Sequence, residues 1–156
     1  MADEFYDIKI LKDGTWLYGG TPIHRHNMVK LFASVLKRDE KGGYWLETPY
    51  EKGRITVEDA PFAAVELKAE SSGKKQTLSF RTNVDQWVEA GPGHAIRVTT
   101  DQVSGEPSPY VHVRDGLDAR LTRAVYYELV KLAADAGGGN FGVWSNGQFY
   151  AVGEIK

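Results

Sequence analysis

Residues 115–134, DGLDARLTRAVYYELVKLAA, read in outline like residues 13–36, DGTWLYGGTPIHRHNMVKLFASVL. In each stretch an Asp-Gly pair follows strand-like residues, Ile8 to Leu11 in the first case and Val111 with Val113 in the second, and leads through an arginine into an apolar helical pattern. With Arg25 laid over Arg123, Met28, Val29, Leu31 and Phe32 fall on Tyr126, Tyr127, Leu129 and Val130, and Val35 and Leu36 fall on Ala133 and Ala134. The Asp-Gly pairs themselves align only with a gap. Glycine-rich turns, Gly42-Gly43 and Gly137-Gly138-Gly139, follow both helices, ahead of Tyr44-Trp45-Leu46 and Phe141-Gly142-Val143-Trp144. A duplicated strand, turn, helix, turn, strand unit predicts two similar halves meeting at a seam, where small ligands often sit.

Outward from those two stretches, Asp13-Gly14 predicts a hairpin, because glycine accepts positive φ and aspartate tolerates the turn. Thr21-Pro22 or Asn27 is expected to open the first helix, with Met28, Leu31, Phe32, Val35 and Leu36 as its buried stripe and Lys37 and Arg38 in its last turn. Between Tyr44 and Thr100 the helical period gives way to short alternating runs. Strands are expected over Tyr44 to Glu47, Ile55 to Val57, Ala63 to Lys68, Thr77 to Thr82 and Ile96 to Thr99, and again over Tyr110 to Arg114 after a loop from Ser104 to Pro109. Short connections make antiparallel pairing the natural expectation. The second helix is expected from about Leu117 to Ala134, with Leu117, Leu121, Ala124, Val125, Leu129 and Leu132 on one stripe and Tyr126 and Val130 opposite. A final hairpin turns at Asn146-Gly147. The fold class is therefore α+β, with internally duplicated strand-helix-strand units and mostly antiparallel sheets. A boundary near Glu58-Asp59 divides residues 1–58 from residues 59–156.

The 156 residues carry a formal net charge of -2, with 42% hydrophobic and 26% charged residues. That composition supplies no basic face for nucleic acid. No apolar run reaches the roughly 18 residues needed to span a bilayer, and the acidic start, Met1 to Asp7, is unlike a secretory signal. A cytoplasmic location is the expectation. The chain has no cysteine, which removes disulfides, thiol catalysis and Cys-ligated zinc.

The strings DGTWLYGGTPIHR, MVKLFASVLKRD, GYWLETPYEK, ITVEDAPF, TNV and PYVHVRDGLDARLTRAVYYELV, in that order and spread from about Ile8 to Gly153, resemble the bacterial family catalogued as domain of unknown function 1285. The resemblance implies an α+β fold with internal duplication and a C-terminal half like a pleckstrin-homology barrel. It also implies a groove between the halves that takes a nucleotide-like ligand, and a part in signal transduction. Members often carry a longer leader, whereas here the first strand begins almost at once.

Candidate ligand-binding residues follow from chemistry. Thr48, Glu51 and Lys52 lie in one turn, where Lys52 could meet a phosphate and Glu51 a ribose hydroxyl, or the last two form a solvated pair. Arg25 and Arg123 hold equivalent places at their helix starts and either suit an anion or bridge to Asp115 or Asp59. Tyr110, His112 and Arg114 share one strand face, which either lines a ligand or is the wet side of a sheet. His24 and His26 have ligand spacing, but nothing nearby completes a zinc set. His94 reads as a turn residue and Asp59 as a backbone cap. Gly73-Lys74-Lys75 lacks the spacing of a phosphate-binding loop.

With no nucleophile elbow, metal-hydrolase pair or dinucleotide fingerprint, the expectation is a non-catalytic module without metal or cofactor, binding a nucleotide-like or other anionic small molecule. The alternative is a protein-protein interaction module, with Trp16, Tyr18 or Trp87 in an exposed aromatic patch. A hydrolase using Glu51 and a histidine is the third reading, and it needs those groups close together.

Overall fold

Both Asp-Gly pairs turn hairpins, and each hairpin is followed by a nine-residue helix and a three-stranded meander. The computed structural model describes residues 4–137 and 140–154. Its elements are β1 (Glu4–Ile10), β2 (Trp16–Tyr18), β3 (Thr21–Pro22), α1 (His26–Ser34), β4 (Leu36–Arg38), β5 (Tyr44–Glu47), β6 (Lys52–Val57), β7 (Phe62–Glu70), β8 (Thr77–Thr82), β9 (Trp87–Glu89), β10 (Ile96–Thr100), β11 (Pro107–Arg114), β12 (Leu117–Leu121), α2 (Arg123–Lys131), β13 (Ala134–Gly137), β14 (Asn140–Ser145) and β15 (Gln148–Glu154). The duplicated unit is thus β1-β2-α1-β4-β5-β6 and β11-β12-α2-β13-β14-β15. Gly138 and Gly139, from the second glycine-rich turn, lie outside the described residues.

The two copies differ in how the meander docks. In the first, one six-stranded sheet runs β3-β2-β1-β6-β5-β4. In the second, β13-β14-β15 stay a separate sheet, and the hairpin joins the order β10-β11-β12-β7-β8-β9. Each six-stranded sheet contains one parallel pairing, β1 with β6 and β12 with β7, against the antiparallel expectation. The individual connections are short, but hairpin, helix and meander together make a crossover long enough to bring β6 back beside β1 in the same direction. The fold is α+β, rich in mixed sheet, with two short helices.

The turns show why the repeats need a gap. Asp115 and Gly116 both take positive φ, +46° and +79°, as a two-residue type I′ turn requires. Asn146 and Gly147 do the same at +49° and +78°, at the expected final hairpin. Asp13-Gly14 instead ends a three-residue loop, with Gly14 alone at +92° and the Leu11 N–H donating to the Thr15 carbonyl at 2.8 Å. A detour through β3 then lengthens the first path to the helix.

Both helices are shorter than their apolar patterns suggest. Thr21-Pro22 pairs with β2 instead of opening α1, whose N-cap is Arg25 and makes no side-chain capping bond. The helix buries Val29 and Ala33, while Leu31 stays 63% exposed, so its phase is one residue off the expected stripe. It ends at Ser34 because β-branched Val35 leaves helical space and Leu36 pairs with Leu46. Lys37 and Arg38 therefore belong to β4. In the second unit Leu117, Ala119 and Leu121 are buried and their neighbours half-exposed, a period-two pattern that makes LDARL a strand. Helix α2 begins after Thr122, whose Oγ1 accepts the Val125 N–H at 3.3 Å, and buries Val125 and Leu129. Ala124 and Leu132 of the expected stripe are exposed.

One core joins the halves: Ile8, Ile10, Trp16 and Leu36 pack in the same cluster as Phe62, Phe80, Val111 and Leu129. Trp16 is 2% exposed and stacks on Phe32, which removes it from any surface patch. Polar contacts close the seam. Asn83 donates to the Gly14 carbonyl at 3.0 Å, and Arg38 donates to the Gly116 carbonyl at 3.0 Å. Each Asp-Gly turn thus offers its glycine oxygen to the other half. Arg114 completes the set by donating to the Ala33 carbonyl, at the end of α1, at 2.8 Å.

Candidate functional site

Where the halves meet above the start of α2, a cleft of about 610 Å³ opens. Its floor is Ala63 of β7 with Arg120 and Leu121 of β12, and one wall is the first turns of α2. Lys12 and Asp13 of the first hairpin loop form the rim contributed by the N-terminal half. Pro107 and Pro109 lie on the opposite rim, where β11 runs on beyond its pairing with β12 and no ladder donor is needed on that side.

Three cations line this cleft, and they are not equivalent. Arg120 is committed, donating to Asp59 at 2.8 Å and to the Tyr110 hydroxyl at 3.1 Å. Lys12 and Arg123 have no carboxylate within salt-bridge distance among the described residues. The helix start adds donors: the Thr122 N–H reaches the Ala64 carbonyl and the Val125 N–H is capped, but the Arg123 and Ala124 N–H groups have no protein acceptor among the described residues. Against these stand Asp13 and Glu106. Hydrogen bonds from Thr15 hold the Asp13 carboxyl below its usual pKa, so it is ionised at neutral pH. Tyr126 and Tyr127 supply flat apolar surface; the Tyr126 hydroxyl is spent on the Val152 carbonyl at 3.0 Å.

The structure distributes the seven candidate residues over several places. Arg123 lines the seam cleft. Arg25 lies in a shallow surface groove along α1 with Met28 and Leu31, and makes no ion pair among the described residues. Thr48 and Glu51 share a separate groove in the N-terminal half. The Thr48 Oγ1 accepts the N–H groups of Tyr50 and Glu51 at 3.2 and 3.1 Å, so it shapes the turn. Lys52 is not with them: its Nζ sits over the Trp45 ring, 4.4 Å from the centroid, and Arg54 does the same. Tyr110 donates to Asp59 at 2.9 Å, and its own pKa is raised first by burial and then by that carboxylate. Arg114 spans the seam to Ala33.

Asp59 is consequently a side-chain anchor for Tyr110 and Arg120, where a backbone cap was expected. The arginine that bridges to it is Arg120, not Arg25 or Arg123. His26 Nε2 lies 2.7 Å from Asp85, and His94 Nδ1 is 3.0 Å from the His112 carbonyl. Among the described residues no three His, Cys, Asp or Glu side chains converge as a metal site. The groove that holds Glu51 is lined by no histidine. No helix among the described residues is long and apolar enough to cross a membrane.

Sequence reasoning passed over Lys12, Arg120 and Tyr127. Lys12 had a signal, standing immediately before a hairpin Asp-Gly; Arg120 was hidden by assigning LDARL to a helix.

These features define an α+β protein built from a duplicated hairpin, helix and meander, with a polar cleft along the seam. The chain belongs to the DUF1285 family: the N-terminal domain of unknown function matches residues 2–60, and the C-terminal domain, described as a protein of unknown function, matches residues 61–152. It is similar to the crystal structure of a DUF1285 family protein from Silicibacter pomeroyi DSS-3, with 46% identity and a TM-score of 0.91 over 97% of this chain and 82% of that one. A DUF1285 family protein from Shewanella baltica OS155 is 29% identical, with a TM-score of 0.62 over 81% of this chain and 91% of that one. No curated protein matches.

Proposed function

We propose that this protein is a non-catalytic module that takes a small nucleotide-like anion in the seam cleft and serves signal transduction in the cytoplasm. The observation that carries the reading is that Lys12 and Arg123, neither within salt-bridge distance of a carboxylate among the described residues, line one cleft at the start of α2, where the Arg123 N–H has no protein acceptor among the described residues. A phosphate suits both cations and the free N–H of a helix start. Tyr126 and Tyr127 offer surface for a base, and Asp13 and Glu106 offer acceptors for ribose hydroxyls. In this reading residues 1–58 and 59–156 act as two subdomains that clasp the ligand, and the curl of β7 to β12 over α2 serves as the pleckstrin-homology-like barrel. A protein-protein interaction module is the second reading, favoured by the exposure of Tyr18 and Trp87, 63% and 45%.

A thermal-shift screen over mononucleotides, dinucleotides and inorganic phosphate tests it. A ligand at about 100 times its Kd adds about 2.7 kcal/mol, which for a chain of this size raises Tm by roughly 5–10 °C. Arg123→Gln and Lys12→Gln are expected to abolish the shift while leaving the unliganded Tm nearly unchanged. Absence of any shift across the panel, or a shift that survives both substitutions, refutes the reading.

A further inference from the structure

The groove that holds Thr48 and Glu51 has charged residues of one sign in its lining, whereas the seam cleft has both. It measures about 410 Å³, within the range of small-molecule sites. Ile8, Phe32, Val35 and Leu46 line it with apolar surface, and Phe5, Tyr6 and Tyr18 with aromatic rings. Its charged lining residues are Asp7 and Glu51, both acidic, and no lysine or arginine lines it. The nearest basic residues along β6, Lys52 and Arg54, are held over the Trp45 ring. Asp7 and Glu51 make no ion pair among the described residues.

At one wall stands the Tyr6 hydroxyl, shielded from solvent next to the Glu51 carboxylate. No partner among the described residues meets it at full hydrogen-bond geometry, and Glu51 is the acceptor beside it. The Tyr6 ring is pinned, because it lies against Gly53, where an added Cβ would fall 2.2 Å from its Cε2. Burial foremost, then the charges of Glu51 and Glu4, raise its pKa, so the phenol stays protonated at neutral pH. Phe5 and Tyr18, 66% and 63% exposed, remain open to a ligand.

We propose that this groove binds a small organic cation, an ammonium on an apolar or aromatic body, with Glu51 and Asp7 facing the charge and the Tyr6 hydroxyl as its polar neighbour. Carboxylates beside tyrosine rings favour an ammonium through charge-assisted hydrogen bonds and cation–π contact. A carboxylate or phosphate ligand meets only like charge there.

The test is a titration of the full-length protein, followed by amide chemical shifts, with three probes of one shape: phenethylamine, phenethyl alcohol and phenylacetate. Phenethylamine is expected to give saturable shifts at residues of β1, β2 and the Thr48 turn, the alcohol weaker ones, and phenylacetate none. Glu51→Gln is expected to weaken the amine by about tenfold, equivalent to about 1.4 kcal/mol, without weakening the alcohol. Arg123→Gln, which removes the seam cation, should leave amine binding unchanged, so this site and the seam cleft fail or succeed separately. Equal binding of the three probes, amine binding indifferent to Glu51→Gln, or no saturable shift from phenethylamine overturns the proposal.

Discussion

Gly14 is the position where the seam is most sensitive to a single methyl group, and the size of that sensitivity can be worked out. Its φ of +92° lies where side chains are strained, which costs about 1–2 kcal/mol for alanine. A Cβ there would also meet Asn83 Nδ2 at 2.8 Å and the Ala63 Cβ at 3.0 Å. Ala63 is 2% exposed at the buried start of β7, so its methyl has little room and Asn83 must yield. In doing so it loses its bond to the Gly14 carbonyl and disturbs the one by which its Oδ1 accepts the Ala63 N–H at 3.0 Å. Two such bonds add about 1–3 kcal/mol to the strain. Gly20 is the internal control, because its φ of +82° carries a similar strain but nothing lies within 4 Å of the added carbon. Denaturant unfolding should therefore place Gly14→Ala about 1–3 kcal/mol below Gly20→Ala, through a lower midpoint at unchanged m-value. In an Asn83→Ala background most of that excess should vanish, since the obstructing amide is gone. Equal losses for the two glycines, or an excess that persists without Asn83, would refute this account of the seam.

Other consequences can be checked with the same assay. Arg114→Met removes the cation that caps the Ala33 carbonyl and should cost about 1–2 kcal/mol, the low end for a charged donor that is only partly buried; a neutral result would mean water replaces it. Asp85 has its pKa lowered chiefly by the hydrogen bond to His26, so its stabilising effect is full above the ordinary aspartate value of about 4 and is lost as pH falls through the lowered folded value. Asp85→Asn should flatten the decline in urea midpoint below about pH 4, and parallel acid limbs for variant and parent would show that the pair contributes nothing. Asn83→Ala, which frees the turn carrying Lys12 and Asp13, should weaken nucleotide binding at the seam, whereas Arg38→Gln, which frees the Gly116 turn away from the cleft, should not. Calorimetric affinities that fall equally for both variants would sever the link between that turn and the cleft.

Much of the fold was legible because it rests on local chemistry. Asn146-Gly147 and Asp115-Gly116 demand positive φ and take it; β5 and β8 have the bounds expected of them, and β8 alternates in burial along its length. What escaped depends on neighbours distant in sequence. The pairing of β1 with β6 becomes parallel only through the sum of several short links, and nothing within either strand announces it. Helix phase failed for a related reason. Met28 and Leu31 satisfy the same period as Val29 and Ala33, and only the position of the sheet decides which pair is covered. The LDARL segment allows helix or strand by composition, and the period-two burial of Leu117, Ala119 and Leu121 selects strand.

The groove chemistry was less legible, because proximity in sequence did not translate into a shared surface. Glu51 and Lys52 are adjacent, yet Glu51 closes the Thr48 turn while Lys52 opens β6. One therefore lines the acidic groove while the other lies over Trp45. The reverse holds at the seam, where Lys12 and Arg123 are 111 positions apart by their numbering and line one cleft. Lys12 sits in the first hairpin loop, and Arg123 opens the helix that follows the second hairpin. The packing of the two copies thus places a basic residue from each on one cleft, although no single stretch contains both. The seam cleft sets Lys12, Arg120 and Arg123 beside Asp13 and Glu106, whereas the charged lining of the outlying groove is Asp7 and Glu51. The separation is set by the Thr48 turn, which holds Glu51 outside β6, and by the docking of the first hairpin loop against the second unit.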